Sequence, residues 1–199
     1  MTHPLRIAVA DDERDMREYL EEVLPRLGHR VVAVARTGRE LVEKVAATDV
    51  DLIITDIKMP DMDGIETSTL VNRDKQVPVI LVSAPHDAEL LVRAGAAHIM
   101  ASLVKPVKEA DLKTAISMAT LRFQHFLTVV REAASLRQAL EDRKVIERAK
   151  GIAMKRLRVD EEEAFRRLRK IASDQNRKLV EVAQAIVAAE DVLRHLEKT

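Results

Sequence analysis

Carboxylate side chains follow two apolar runs in the N-terminal half of this 199-residue chain. Asp11 and Asp12 come directly after the first run, and Asp56 comes directly after a continuous apolar run, VDLIIT. Carboxylates that converge in one crevice repel one another, so a hard divalent cation such as Mg²⁺ is the expected occupant. A cation there would offset the charge on an incoming phosphoryl group, and Asp56 could act as a nucleophile and form an aspartyl phosphate.

Two further polar residues, Ser83 and Lys105, follow later apolar runs. Lys105 could pair with the new phosphate as a point charge, and the Ser83 hydroxyl could hydrogen-bond a phosphate oxygen. Each residue taken alone has a simpler explanation, because Asp after a strand is common in turns and the Asp11-Asp12 pair could merely cap a helix. The chemistry therefore requires a fold that brings all of these residues together.

Such a fold is indicated by apolar runs that alternate with segments of helical spacing. The predicted strands are Leu5–Ala10, Arg30–Ala35, Val50–Thr55, Val79–Val82 and His98–Val104. The predicted helices are Met16–Leu27, Gly38–Ala47, Gly64–Asn72, Asp87–Ala94 and a segment from Lys108 onward. This alternation predicts an α/β domain with a five-stranded, doubly wound parallel sheet. Ligands of such sheets bind at the carboxyl ends of the strands, where the polar residues stand.

A long helix should follow, because the chain from Lys108 to about Leu157 has no Pro and only one Gly. Residues of one stripe recur at alternating spacings of three and four, which is an a/d heptad pattern. They are Ile116, Ala119, Phe123, Phe126, Val130, Ala133, Arg137 and Leu140. We expect a parallel coiled-coil homodimer through residues 116–140; the alternative is a helix that packs on its own N-terminal domain.

The C-terminal part predicts a small all-α domain of three helices. The first helix is the end of the long one, the second begins at Asp160 with Glu163 in a capping-box position, and the third begins near Leu179. Residues 143–178 hold 13 Lys or Arg against 6 Asp or Glu, whereas residues 1–115 hold 15 against 20. This asymmetry suggests a cation site in the first half and a polyanion partner in the second. Ordinary charged outer faces of helices are the alternative.

Composition excludes other classes of protein. The chain has no Cys, which rules out disulfides and thiolate metal sites and fits a reducing cytosol. We expect a cytoplasmic protein without a membrane partner, because there is no signal-peptide pattern and no apolar run of membrane-spanning length.

The segments AVADDE, TDIKMPDMDG, VSA and LVKP resemble the receiver domains of two-component response regulators, and the predicted receiver spans residues 1–120. The resemblance implies a flavodoxin-like fold, a sensor histidine kinase as partner and a cis peptide bond before Pro106. Asp56 would be the phosphoacceptor, with Ser83 and Lys105 as switch residues. The Mg²⁺ ligands would be Asp11, Asp12, Asp56 and the Lys58 carbonyl. Ser102 replaces the aromatic residue usual three positions before the lysine, so a readout by a rotating aromatic ring is not expected.

The segments ALEDRKVIERAKGIAM and EEEAFRRLRKIASDQNRKLVEVAQAIV resemble ANTAR domains, and the predicted domain spans residues 136–199. That family binds paired RNA hairpin loops and prevents transcription terminators from forming. The expected RNA contacts are Lys150 and Arg169, followed by Lys155, Arg156 and Arg166. We expect Phe165 and Leu168 in the core. We expect a regulator and not an enzyme, while DNA or another protein stays open as the partner of the helical output.

Overall fold

The computed structural model describes residues 3–85 and 98–196. Its five strands are β1 (Arg6–Ala10), β2 (Arg30–Ala35), β3 (Leu52–Asp56), β4 (Val79–Ser83) and β5 (Ile99–Val104). All neighbouring strands are parallel, and their order in the sheet is β2-β1-β3-β4-β5. The doubly wound sheet predicted from the alternating pattern is therefore confirmed.

The described helices are α1 (Arg14–Arg26), α2 (Gly38–Ala47), α3 (Gly64–Asp74), α4 (Glu109–Leu157), α5 (Glu161–Asp174) and α6 (Leu179–Leu196). The side chains of Thr37, Asp63 and Asp160 cap α2, α3 and α5, each accepting the backbone N–H three residues later. The helix predicted for Asp87–Ala94 lies outside the described residues. Within the described ranges, no helix combines the length and apolarity that a membrane crossing needs.

The chain forms two compact units, residues 1–127 and 128–199, and the boundary falls inside α4. In the first unit, β3 and β4 are buried along their whole length, as expected for central strands covered on both faces. The first turns of α4 belong to the same core, where Leu112, Ile116 and Ala119 pack with the strands. The start of α4 is therefore part of the first unit, which ends at residue 127.

The second unit is built by the end of α4 together with α5 and α6. Its buried core is small and aliphatic, and consists of Ala149, Leu168, Ala172, Val182 and Ala183. Three alanines among these residues allow the helices to approach closely. Since such a core buries little apolar surface, the unit should have modest stability by itself.

Candidate functional site

The parallel register places the predicted acidic residues at one edge of the first unit. Ala10 lies opposite Thr55 and Asp56 lies opposite Val82, so Asp11 and Asp56 end neighbouring strands on the same side. Carboxylate oxygens of Asp11, Asp12 and Asp56 all lie within 4.8 Å of one another. The structure therefore brings Asp56 into one acidic crevice with the Asp11-Asp12 pair, from which it is distant in the sequence.

Burial strongly affects the acidity of this crevice. Asp11 and Asp56 are buried, whereas Asp12 is exposed. Burial disfavours the charged carboxylate and raises the pKa of Asp11. It also raises the pKa of Asp56 to about 6, and the negative charge of Asp11 adds to that effect. The crevice thus holds negative charge at an unfavourable position, which a cation would relieve.

Lys105 supplies positive charge from the loop that follows β5. Its Nζ atom lies 3.1 Å from Asp11 Oδ2, 3.3 Å from Asp56 Oδ1 and 2.7 Å from Glu13 Oε1. Burial alone would lower the pKa of Lys105, but the hydrogen bond to Glu13 and the charges of the two aspartates outweigh it and raise that pKa. Lys105 is therefore a permanent cation beside the predicted phosphoacceptor.

One carboxylate oxygen in the crevice is well placed to bind a metal ion. Asp11 Oδ2 is buried and accepts no well-oriented hydrogen bond from the described residues, although Lys105 Nζ is within ion-pair distance. Together with Asp12 and Asp56 it offers the hard oxygen ligands that Mg²⁺ prefers. The Lys58 N–H donates to Asp56 Oδ2 at 3.2 Å, which places this residue at the site. The role of its carbonyl oxygen stays a prediction.

Ser83 lies at the end of β4 and is buried. Its hydroxyl donates to the Leu103 carbonyl oxygen at 3.3 Å, and its own carbonyl accepts the Lys105 N–H at 2.8 Å. The peptide bond between Lys105 and Pro106 is cis, as the resemblance implied. Ser83 is thus linked to the loop that carries Lys105, while Ser102 on β5 is exposed.

In the loop after Asp56, position 64 has no room for a side chain larger than that of glycine. A Cβ atom at Gly64 would lie 2.1 Å from the backbone oxygen of Asp56, closer than any real Cβ contact. The Gly64 N–H donates to Ile57 O at 2.8 Å, which holds the loop against the end of β3. Gly64 therefore allows α3 to start directly beside the candidate phosphoacceptor.

Two residues of the crevice were missing from the sequence-based set. Glu13 forms the shortest ion pair of Lys105. Arg17 donates from Nη1 to the carbonyl oxygens of Asp11 and Asp12, both at 2.8 Å, and so holds the loop that carries the carboxylates. Glu13 could have been suspected from its place directly after the Asp pair, whereas no sequence signal distinguishes Arg17 from an ordinary helix-surface arginine.

The structure divides the predicted dimer seam into a first part that packs on its own unit and a later part that is exposed. Phe123 is only 9% exposed and lies edge-on to His98, with 6.4 Å between ring centroids; the Phe126 and His98 rings are 5.0 Å apart. Phe123 as a surface seam residue is therefore wrong, because this part of α4 packs on its own unit. The later seam residues are exposed and keep the heptad spacing; they are Val130, Ala133 and Leu140.

Several cations of the second unit are held by carboxylates of the same chain. The Lys150 side chain is only 11% exposed, and its Nζ lies 2.6 Å from Glu147 and 2.7 Å from Glu161. Arg156 pairs with the buried Glu190 at 3.0 Å, and Arg166 pairs with Glu163. An anionic partner would have to displace these carboxylates before it could use the three cations.

Two other residues predicted to contact RNA have an environment different from that of these three cations. Lys155 and Arg169 are exposed, and within the described ranges no carboxylate lies at ion-pair distance from either. The Arg169 guanidinium carbon lies 5.9 Å from the centroid of the Phe165 ring. Phe165 itself is 37% exposed, so its predicted core position is wrong, whereas Leu168 is buried as predicted. The inner face of α5 is formed by residues 164, 168 and 172, and residue 165 lies beside that face.

The fold and this acidic crevice define the first unit as a domain of the receiver type. A model of the response regulator receiver domain matches residues 7–117, and a model of the ANTAR domain matches residues 134–187. The chain belongs to the response regulators, with a receiver domain followed by an ANTAR domain. Together these matches support a phosphorylation-controlled regulator with an RNA-binding output.

The chain is similar to known proteins along most of its length. The transcriptional regulatory protein PdtaR of Mycobacterium tuberculosis is 35% identical over 184 residues, which cover 92% of this chain and 90% of that protein. The chemotaxis protein CheY of Bacillus subtilis is 34% identical over 113 residues, which cover 56% of this chain and 94% of CheY. A solved receiver domain protein from Clostridium thermocellum has a TM-score of 0.56 and 26% identity, covering 61% of this chain and 98% of that one.

Proposed function

We propose that this protein is switched by phosphorylation of Asp56 and that its ANTAR domain then binds paired hairpin loops in leader RNA and prevents transcription termination. The observation that carries the first half is the Asp56 carboxylate, buried at a strand end and in contact with Lys105 at 3.3 Å. The observation that carries the second half is the ANTAR match on a strongly basic segment. We infer a regulatory role and not an enzymatic one.

In the phosphorylation step, an Asp56 oxygen attacks the phosphorus atom of the donor, which we infer to be the phosphohistidine of a sensor kinase. A new P–O bond forms, and the P–N bond to the imidazole breaks. Lys105 stands ready to pair with the new phosphate, for which it must share or release Glu13 and Asp11. Asp11, Asp12, Asp56 and the Lys58 carbonyl would hold Mg²⁺, which offsets the charge of the phosphoryl group.

Phosphorylation would reach the surface through the loop that contains Lys105. The Ser83 hydroxyl now donates to Leu103 O, and a phosphate on Asp56 would compete for that hydroxyl. Since Ser83 O also accepts the Lys105 N–H, both predicted switch residues would shift together. We propose that this joint shift of Ser83 and Lys105 transmits the phosphorylation signal to the rest of the chain.

The second copy in the proposed assembly would cover the exposed part of the α4 seam. Leu140 is 59% exposed, and Val130 and Ala133 lie on the same stripe at heptad spacing. A parallel partner helix would bury these side chains and remove their apolar surface from water. We therefore place the homodimer contact in the later part of the predicted seam, beyond Phe126.

Phosphorylation is tested with a small phosphodonor and Mg²⁺. We expect labelling of wild type and no labelling of Asp56→Asn, because an amide is a poor nucleophile. The matched control is Asp61→Asn, which removes the same charge from an exposed position in the following loop. Undiminished labelling of the Asp56 variant would remove this residue from its role.

RNA output is tested by filter binding of the full chain at several salt concentrations, with a two-hairpin RNA and with duplex DNA. We expect a preference for the RNA and a salt dependence that reflects released counterions. A preference for duplex DNA would indicate a DNA-binding regulator, and weak binding of both would indicate a protein partner. A cytoplasmic location also stays a prediction, which cell fractionation would test.

A further inference from the structure

The second unit contains one aromatic residue, Phe165, and the structure places it at the surface. No other Phe, Tyr or Trp occurs in residues 128–199. The buried residues of α5 are Ala164, Leu168 and Ala172, so the ring lies outside the stripe that builds the core. Phe165 is 37% exposed and so keeps part of its apolar ring in water, which is unfavourable. Packing in the buried core therefore does not by itself account for an aromatic residue at this position.

Arg169 lies one helical turn after Phe165 and sets its guanidinium against the ring, at 5.9 Å from the centroid. This distance is in the range of a cation–π interaction. The other two arginines of α5, Arg166 and Arg167, both pair with Glu163. Arg169 has no carboxylate partner within the described ranges, and so its charge is free to meet a ligand. Phe165 and Arg169 together are called the Phe–Arg platform below.

The Phe–Arg platform has the properties that an unpaired nucleobase requires. Single-stranded RNA bases stack on aromatic rings and on guanidinium planes, while bases inside a helix are already stacked on one another. Lys170 follows Arg169, is exposed and has no carboxylate partner among the described residues, so it can meet a backbone phosphate. An acidic peptide could use the two cations, but it would gain little from the ring.

We propose that an unpaired loop base of the bound RNA stacks on the Phe–Arg platform, with Arg169 and Lys170 neutralising the phosphates beside it. This inference rests on the proposed function, since it names the part of the RNA that the output domain contacts. It differs from a contact made by charge alone, because the ring can strengthen binding without releasing any counterion.

The test uses the full-length protein and a pool of tandem RNA hairpins with constant stems and randomised loops. RNA selected by wild type is then titrated with Phe165→Leu, Phe165→Tyr and Arg169→Gln. The control is Ile171→Ala, which removes another exposed apolar side chain from α5. Circular dichroism checks the helix content of each variant. 2-Aminopurine at loop adenines reports stacking directly, because its fluorescence falls when it stacks.

We expect Phe165→Leu to weaken binding by roughly 5- to 150-fold, the range for loss of one base–aromatic stack. Its salt dependence should equal that of wild type, whereas Arg169→Gln should flatten it by about one ion. Phe165→Tyr and Ile171→Ala should bind like wild type, and the loop probe should be quenched by both but not by Phe165→Leu.

Equal binding and quenching by folded Phe165→Leu would overturn the stacking proposal and leave RNA binding intact. Unchanged RNA affinity with weaker self-association would also overturn it, because the ring would then be a protein contact. If wild type selects no RNA in preference to duplex DNA, the proposed function fails and this inference fails with it. Should Phe165→Leu not fold, the salt dependence and quenching of Arg169→Gln decide the question.

Discussion

Replacing Asp56 by Asn should stabilise the metal-free protein, although it removes the proposed phosphorylation site. Asn keeps an oxygen that can accept the Lys58 N–H, which now donates to Asp56 Oδ2 at 3.2 Å. Lys105 loses one carboxylate neighbour but retains Asp11 and Glu13. The main change is therefore the removal of one negative charge from a buried position close to another carboxylate.

The size of the effect follows from the pKa of Asp56, which burial and the charge of Asp11 raise from 3.8 to about 6. Each pKa unit corresponds to about 1.4 kcal/mol, so the ionised side chain should lower the stability of the fold by about 3 kcal/mol at pH 8. Because the pKa in the folded state lies above that in the unfolded state, the folded protein binds more protons in the interval between them. The protonated Asp56 side chain therefore contributes to the stability of the wild-type fold at low pH, and this contribution is lost as the pH rises from about 4 to about 6.

The assay is urea unfolding of the receiver, followed at pH 4 and pH 8 in a chelator and at pH 8 with Mg²⁺. Asp56→Asn should unfold at higher urea than wild type at pH 8 in the chelator. The difference should shrink at pH 4, where Asp56 is largely protonated, and also in Mg²⁺, because the ion stabilises the wild-type site preferentially. Asp61→Asn is the matched control, because residue 61 is exposed and has a φ of 71°, which Asn adopts readily.

The reasoning would be refuted if the Asp56 variant were no more stable than wild type at pH 8 in the chelator. A stabilisation that is independent of pH would be equally damaging, since it would not come from the ionised carboxylate. Stabilisation by Asp61→Asn of the same size would point to the net charge of the protein instead of the crevice.

Three further predictions concern the seam, the basic surface and the loop after the phosphoacceptor. Leu140→Glu should give a monomer by sedimentation where wild type is dimeric, since it places charges face to face in the seam, while Ser135→Glu on the opposite face should leave the dimer intact. Lys155→Ala should flatten the salt dependence of RNA binding by about one ion, whereas Lys150→Ala should leave the slope nearly unchanged because two glutamates already neutralise that amine. Gly64→Ala should abolish labelling by a phosphodonor or unfold the receiver, because its Cβ would lie 2.1 Å from a backbone oxygen; normal labelling of a folded variant would contradict this close approach of α3 to β3.

The receiver sheet could be predicted because its strands carry continuous apolar runs and alternate with helices. All five predicted strands agree with the structure within two residues at each end, and the bounds of β2 agree at both ends. The crevice followed from topology, since parallel strands bring Asp11, Asp56 and Ser83 to one edge whatever the details of the loops. Arg17 could not be predicted because it contacts backbone oxygens, and neither residue type nor spacing indicates such a contact.

The seam shows where periodicity stops being informative. A stripe at spacings of three and four forms whether a helix packs on a partner helix or on its own domain, because both bury one face. Phe123 and Val130 lie on the same stripe, yet the first is in the core of its unit and the second faces outward. The spacing locates the buried face but does not identify what covers it.

The basic segment of the ANTAR domain shows a related limit for charge. Lys150 and Arg169 contribute equally to the net positive charge of residues 143–178, but only Arg169 has its charge unmatched by a carboxylate of the described chain. An RNA phosphate that approached Lys150 would compete with Glu147 and Glu161, so part of any gained interaction would be offset by the one lost. Counting cations therefore overestimates the surface available to a polyanion. The residues that can release counterions without first breaking an ion pair, such as Lys155, Arg169 and Lys170, should dominate the salt dependence of RNA binding.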